Sequence, residues 1–363
     1  MRDLRIDLLR GYALLSILVN HAQQLAGMYY FAPTIKHLFP GFSDSAEMFV
    51  FLSGLSSGLA YGRRFQSDPV NSMHKILNRI GALYVMHLLS IAVIVVLYGL
   101  FFHNPFPSLP VGDLESLLVS PRAWLGVLLL QIQPNYTNIL PLYMVLLALT
   151  PLALLLLQNR PGLALLGSAL VYLGFALADR LEPDVVPSPL NRWSFYPGCW
   201  QFLFFLGLWF GQQKAHGRWN NWKPPGFLTL IAWIVISASV GLRLLIWRSG
   251  DYSLLDWIPW NRKQTMEPTL VIHFLSLMIL ILRYSSPASD WLQGRIAGLF
   301  IAVGQKSLEC FVVGTVLSFL AAFAALSDHS RVLHVILNIA SVIAVTLMAH
   351  LLARHARNVA VSR

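Results

Sequence analysis

Charged and imidazole side chains interrupt the apolar runs of this chain at spacings that could support proton-transfer chemistry. The first run reads Arg5-Ile-Asp7-Leu-Leu-Arg10, and His21 comes eleven residues after Arg10. At about 100° per residue, eleven helical steps return to within about 20° of the starting direction. Arg10 and His21 therefore share one helix face, separated by roughly 16 Å of rise. Ionisable groups inside apolar spans cost about a few kcal/mol or more, so they face a protein interior or a pathway. The next run, Glu47-Met-Phe-Val-Phe-Leu-Ser-Gly54, opens with Glu47 three residues after Asp44, which puts both carboxylates on one face. A carboxylate against one nitrogen of His21 would fix its tautomer and raise its basicity, leaving the other nitrogen to take a proton from a substrate. The plain alternative is a hydrogen bond from His21 to a neighbouring helix. Arg10 either lines a track from the membrane surface to the imidazole or pairs locally with Asp7, and the two roles are compatible. Ser53-Gly54 permits close helix packing and is not read as a nucleophile.

These residues must be positioned by membrane helices. Of 363 residues, 56% are hydrophobic and only 12% charged, about half the charge of a soluble domain. Mean hydropathy is +0.62. Runs long enough to cross a bilayer, about 20 residues each, recur along the chain. The fold class is an all-α polytopic integral membrane protein with about ten transmembrane helices, at 8–28, 44–62, 76–102, 139–157, 161–178, 194–213, 226–247, 268–284, 298–325 and 332–353. Lys and Arg concentrate in segments such as 63–79, 214–223 and 354–363. This places the N- and C-termini in the cytoplasm. The basic start reads as an uncleaved first helix, since Arg10 and His21 interrupt the apolar core and no small-residue cleavage site follows. Residues 123–133 are apolar but too short to span, and read as an interfacial or re-entrant helix. The outer connections 103–138, 179–193 and 248–267 are the long ones, as expected of a face that recognises something. The whole of 1–363 reads as one integral domain.

The net charge of +10 lies at the ends of apolar runs and is no argument for nucleic acid. Cys199 and Cys310 lack CxxC spacing, so they read as small core residues, with no metal site and no bound cofactor. Arg63, Arg64, Lys75 and Arg79 either set topology or form a patch for a phosphorylated cytoplasmic ligand, which guanidinium groups grip bidentately. On the outer side, Gln133, Asn135, Gln201 and Lys263 could bind hydroxyls or a carboxylated group. Trp257 and Trp260 are membrane anchors or platforms for sugar rings.

The pattern Arg5-x-Asp7-x-x-Arg10-Gly, the His that follows and the acidic-x-Phe-x-Phe-Leu-Ser-Gly54 run resemble the polytopic acyltransferase-3 superfamily. Residues 41–54, Gly-Phe-Ser-Asp-Ser-Ala-Glu-Met-Phe-Val-Phe-Leu-Ser-Gly, are similar to the OpgC branch, named for succinyl transfer to osmoregulated periplasmic glucans. Gln133-Pro-Asn-Tyr, Ile139-Leu-Pro-Leu-Tyr143, Trp200-Gln201 and Gly304-Gln-Lys-Ser-Leu308 extend the resemblance over nearly the whole chain. It implies an O-acyltransferase of the bacterial inner membrane that takes an acyl group from cytoplasmic acyl-CoA and esterifies a hydroxyl of a periplasmic or envelope glycan. His21 would be the catalytic imidazole, Glu47 the acid before the Phe-Leu-Ser-Gly run, and Arg10 the inner arginine near the donor. Asp44, Tyr143, Trp200 and Gln201 would fall on the acceptor or acyl side. Relatives carry Arg-x-x-Arg-(Leu/Ile)-Tyr entering the third helix. Here Ala82 replaces the second arginine, leaving Arg63, Arg64 or Lys75 to substitute.

A secondary transporter or exporter would also carry intramembrane His, Arg and Glu. It would be expected to show two related halves, and none is evident. A sensor or scaffold subunit is the third reading.

Overall fold

The structure, a computed structural model, describes residues 3–28, 41–102, 113–181, 193–218, 223–249 and 262–361. Regular structure among them is helical: α1 (Leu4–Ala26), α2 (Ser45–Tyr61), α3 (Arg64–Ser67), α4 (Pro69–Phe101), α5 (Asp113–Val119), α6 (Pro121–Leu128), α7 (Ile139–Asn159), α8 (Pro161–Leu181), α9 (Pro197–Ala215), α10 (Gly226–Ser249), α11 (Pro268–Tyr284), a 3-10 turn, α12 (Arg295–Gln305), α13 (Ser307–Ser327) and α14 (Arg331–Val361). Among the described residues, six helices are long and apolar enough to cross a membrane: α4, α7, α8, α10, α13 and α14. Their outward faces carry rows of large apolar side chains, such as Leu89, Val93, Val96 and Leu100 on α4 and Ile336, Ile339, Ile343 and Leu347 on α14. Such faces belong in lipid, and the chain is a helical, multi-pass membrane protein.

Each expected span falls on a helix, with one correction. The run 298–325 is two helices, α12 and α13, broken at Lys306, whose φ of −109° and ψ of 41° are not helical. No proline marks the break, which falls in the polar stretch Gln305-Lys306-Ser307. Its effect is to put Ser307 at the start of α13, where its hydroxyl accepts from the Arg10 guanidinium at 2.9 Å. Residues 123–133 contain α6, which is too short to span, followed by a turn with Leu130 in the left-handed region at φ 57°.

The helices gather into two compact units interleaved in sequence. The first comprises residues 1–38, 83–138 and 287–363. Here α1 packs on α12 and α13, and α14 packs on both of those helices. A Cβ at Gly11 would overlap the carbonyl of Phe300, and one at Gly304 the carbonyl of Asp7, so these glycines let α1 and α12 meet backbone to backbone. A core of Leu25, Ile91, Ile94, Tyr98, Leu114, Phe319 and Phe323 fills one end of this unit.

The second unit comprises residues 39–82 and 139–286. Its main contact is α2 on α9, with α7, α8, α10 and α11 around it. Gly54 and Gly58 of α2 meet the carbonyls of Phe204 and Leu208, while Gly207 and Gly211 of α9 meet those of Phe51 and Leu55. Each glycine pair is spaced by four, so both helices present a groove without side chains to the other. Ser53 is buried at 1% exposure beside this crossing, in keeping with a packing role. Cys199 and Cys310 are both buried and free.

Candidate active site

In the first unit the reactive groups are strung along α1. Asp3 caps the helix and pairs with Arg5 at 2.8 Å. Asp7 is buried at the level of Gly304, and Arg10 is half-buried on Ser307. Three turns further, the half-buried His21 ring lies 4.8 Å from the Tyr136 ring, tilted by 58°. Tyr136 belongs to the Gln133-Pro-Asn-Tyr turn, and its φ of 69° lies in the left-handed region that bulky residues avoid. The turn is held from within: Thr137 donates through both its backbone N–H and its hydroxyl to the Pro134 carbonyl, and Asn138 donates to Gln133. A strained backbone held by its surroundings carries the Tyr136 ring onto the half-buried imidazole, and such strain gathers at functional sites. Gln133 is buried in this turn with its amide on the Leu130 carbonyl, whereas Asn135 is exposed. Tyr136 was a member of that tetrapeptide to single out, because its ring lies against the histidine.

In the second unit the charges are gathered rather than strung out. Asp44 caps α2 by accepting from the Ala46 N–H, and Glu47 accepts from the Asp44 N–H, both at 2.8 Å. This reciprocal pair satisfies two otherwise orphaned amides and aims both carboxylates the same way. Lys263 meets them, with Nζ 2.7 Å from Asp44 Oδ1 and 2.6 Å from Glu47 Oε1. The same ammonium lies 5.7 Å from the ring of Trp200, whose indole N–H donates to the Gln264 carbonyl. Glu47 is 0% exposed and the Lys263 side chain 34%. Next in sequence, Arg262 pairs with Asp179 at 2.9 Å and with Glu267 at 3.3 Å. Arg180 approaches Glu267 at 3.7 Å. Tyr196 donates to Asp179, and Tyr172 to the Met266 carbonyl. Residues 262–267, which lead into α11, are thereby fastened to α2, α8 and α9. Burial pulls the Lys263 ammonium down, but Asp44 and Glu47 outweigh it and hold it above its ordinary value.

Of the residues marked in the sequence, the structure thus brings Asp44, Glu47, Trp200 and Lys263 into one cluster. Gln201 uses its amide on Ser168 and the Gly198 carbonyl, joining α8 to α9. Tyr143 is buried in α7 with its ring 6.2 Å from Phe204. Arg63, Arg64 and Lys75 are exposed, and Arg79 half-buried, from the end of α2 to the first turns of α4. Trp257 and Trp260 lie outside the described residues. Arg262, Asp179 and Glu267 carried no local signal, because each is ordinary for a polar connection until its partners are known.

Chemically, a half-buried imidazole on a helix such as α1 can take a proton from an alcohol. A cation held by two carboxylates beside an indole face can orient a polyhydroxylated or anionic molecule. A family model described as OpgC protein matches residues 2–357. No curated protein and no solved structure matches the chain.

Proposed function

The chain belongs to the OpgC family, and from that premise we propose that it is an O-acyltransferase of the bacterial inner membrane. It takes an acyl group, succinyl as the family resemblance implies, from cytoplasmic acyl-CoA and esterifies a hydroxyl of a periplasmic or envelope glycan. The observation that carries this reading is the His21 imidazole, held half-buried in α1 against the ring of a strained Tyr136.

A nitrogen of His21 takes the proton of the acceptor hydroxyl as its oxygen attacks the thioester carbonyl. The carbon–sulfur bond breaks, and the leaving thiolate recovers the proton from the imidazolium. Transfer is direct, with no acyl-enzyme. Arg10, with Asp7 one turn earlier, serves the donor side, and Arg63, Arg64, Lys75 and Arg79 supply positive charge for the phosphates of CoA. On the acceptor side Glu47 and Asp44 act through Lys263, which they hold against the buried Trp200 ring with its side chain partly exposed. Both chain termini lie in the cytoplasm.

Mass spectrometry of envelope glycans from cells with and without the protein tests this. Ester-linked acyl groups disappear without it, and an unchanged glycan profile would refute the assignment.

A further inference from the structure

Two donors near Gly41-Phe-Ser43, in the second unit, are not used by the chemistry above. Ser43 donates its backbone N–H to Nδ1 of His273 at 3.3 Å, and its hydroxyl lies 2.6 Å from the same nitrogen. A backbone N–H can only donate, so Nδ1 is an acceptor and the neutral ring carries its hydrogen on Nε2. His273 is 1% exposed, and Nε2 has no hydrogen-bond partner among the described residues. That nitrogen faces Gly41, where an added Cβ would fall on it. A buried donor without an acceptor is costly enough to need explaining.

The second donor is Arg243, on the membrane helix α10. Its guanidinium carbon is 5.7 Å from the Phe42 ring, and that ring stands edge-on to His273 at 6.2 Å. Arg243 lies within electrostatic reach of the His273 ring. It is half-buried, its Nε has no partner, and no carboxylate pairs with it among the described residues. The contrast with its neighbours in the same unit is direct, because Arg262 and Lys263 each hold two carboxylates. A guanidinium inside a membrane span without an acid calls for an anion.

We propose that Arg243 and the Nε2–H of His273 form a carboxylate-binding site over Gly41-Phe-Ser43. The guanidinium offers parallel donors that match a planar carboxylate, and the imidazole N–H adds a third. Phe42 is the wall common to both, and Gly41, without a Cβ, lets the backbone pass in contact with the Nε2 edge of the ring. The ligand is either the free carboxylate of a dicarboxylic acyl donor, which rests on the function proposed above, or a free dicarboxylate.

Equilibrium binding to the purified full chain decides it, with succinyl-CoA, butyryl-CoA and succinate as probes. Butyryl-CoA matches succinyl-CoA in chain length but lacks the charge. The acyl-donor arm expects wild type to prefer succinyl-CoA by about tenfold or more. Arg243→Gln then removes that preference and leaves butyryl-CoA binding unchanged. The free-anion arm expects succinate to bind and Arg243→Gln to abolish it, with thioester binding untouched. Should Arg243→Gln fail to fold, Gly41→Ala takes its place: its methyl would overlap Nε2 and push the His273 ring out of the site. His273→Gln, which keeps an N–H, retains more carboxylate binding than His273→Leu. Unchanged binding of succinyl-CoA and succinate in both Arg243→Gln and Gly41→Ala would overturn the site. Arg243-dependent succinate binding by a wild type that binds neither thioester would instead keep the site and sink the transferase reading.

Discussion

In the unit built around α1, ionisable side chains lie in series on a single helix: Asp7, Arg10 on Ser307, then His21 under Tyr136. In the unit built around α2, charges from α2, α8 and the segment before α11 converge, so that Lys263 and Arg262 each hold two carboxylates. The first arrangement leaves an imidazole half-buried beside a strained turn, which suits a group that must meet substrate and change protonation. The second locks charge in place, which suits orientation. Changes in the first unit should therefore appear in rate, and changes in the second in stability.

The largest expected effect is on rate. His21→Ala should lower acyl transfer by about 10²–10⁴-fold, the contribution of a positioned general base, while thermal unfolding of the purified protein stays near wild type. A large drop in unfolding temperature with little loss of rate per folded molecule would erase the contrast.

Next comes the charge cluster. Lys263→Met leaves Glu47 buried without its cation, and should destabilise by about 3 kcal/mol, the lower end for a broken buried pair because Lys263 is partly exposed. Adding Glu47→Gln should restore much of that loss in the same unfolding assay. The cluster also has a pH signature. The Lys263 ammonium is held above its ordinary value in the folded protein, so its stabilisation is fully present below the ordinary lysine range. It is lost as pH rises through the folded value. A stability difference between wild type and Lys263→Met that does not shrink as pH rises into the strongly alkaline range would contradict that assignment.

Smaller effects follow from the backbone. Gly54→Ala forces a methyl into the Phe204 carbonyl at the α2–α9 crossing and should cost about 1–3 kcal/mol. Tyr136→Gly relieves a left-handed φ but also removes a ring packed on the core, so the two should roughly offset in stability, while transfer falls about tenfold with the ring at His21 gone. Tyr136→Phe, which keeps the ring against His21, should retain more of the rate than Tyr136→Gly. Smallest of all, Gly174→Ala, on an exposed face of α8 with nothing within 4 Å, should gain about 0.5–1 kcal/mol.

The difference between the units also explains what could be read from the residues alone. Arg10 and His21 share one helix, so a periodicity of 3.6 places them on one face before any tertiary contact is known. The capping pair of Asp44 and Glu47 is likewise local. Lys263 was marked as an outer polar residue, but its pairing with Glu47 spans 216 positions and no local rule predicts it. Asp179, Arg262 and Glu267 were passed over for the same reason. The break at Lys306 had a signal in the polar stretch Gln305-Lys306-Ser307, but the apolar runs on both sides let it be read as one span, with Gly304 as an ordinary membrane-helix glycine. Its need becomes visible only when Gly304 meets the carbonyl of Asp7. Arg243 and His273 were legible in principle, as ionisable groups within apolar runs, but neither has a companion within its own helix to draw attention to it.

The central claim is that His21 is reached by a thioester from the cytoplasmic side and by an alcohol from the other. Proteoliposomes of uniform orientation, with succinyl-CoA on the cytoplasmic face and glucan on the opposite face, test it most directly. The wild-type protein should form glucan ester in this arrangement, and a folded, inserted His21→Ala protein should form almost none. Near-normal ester formation by that variant would contradict the account.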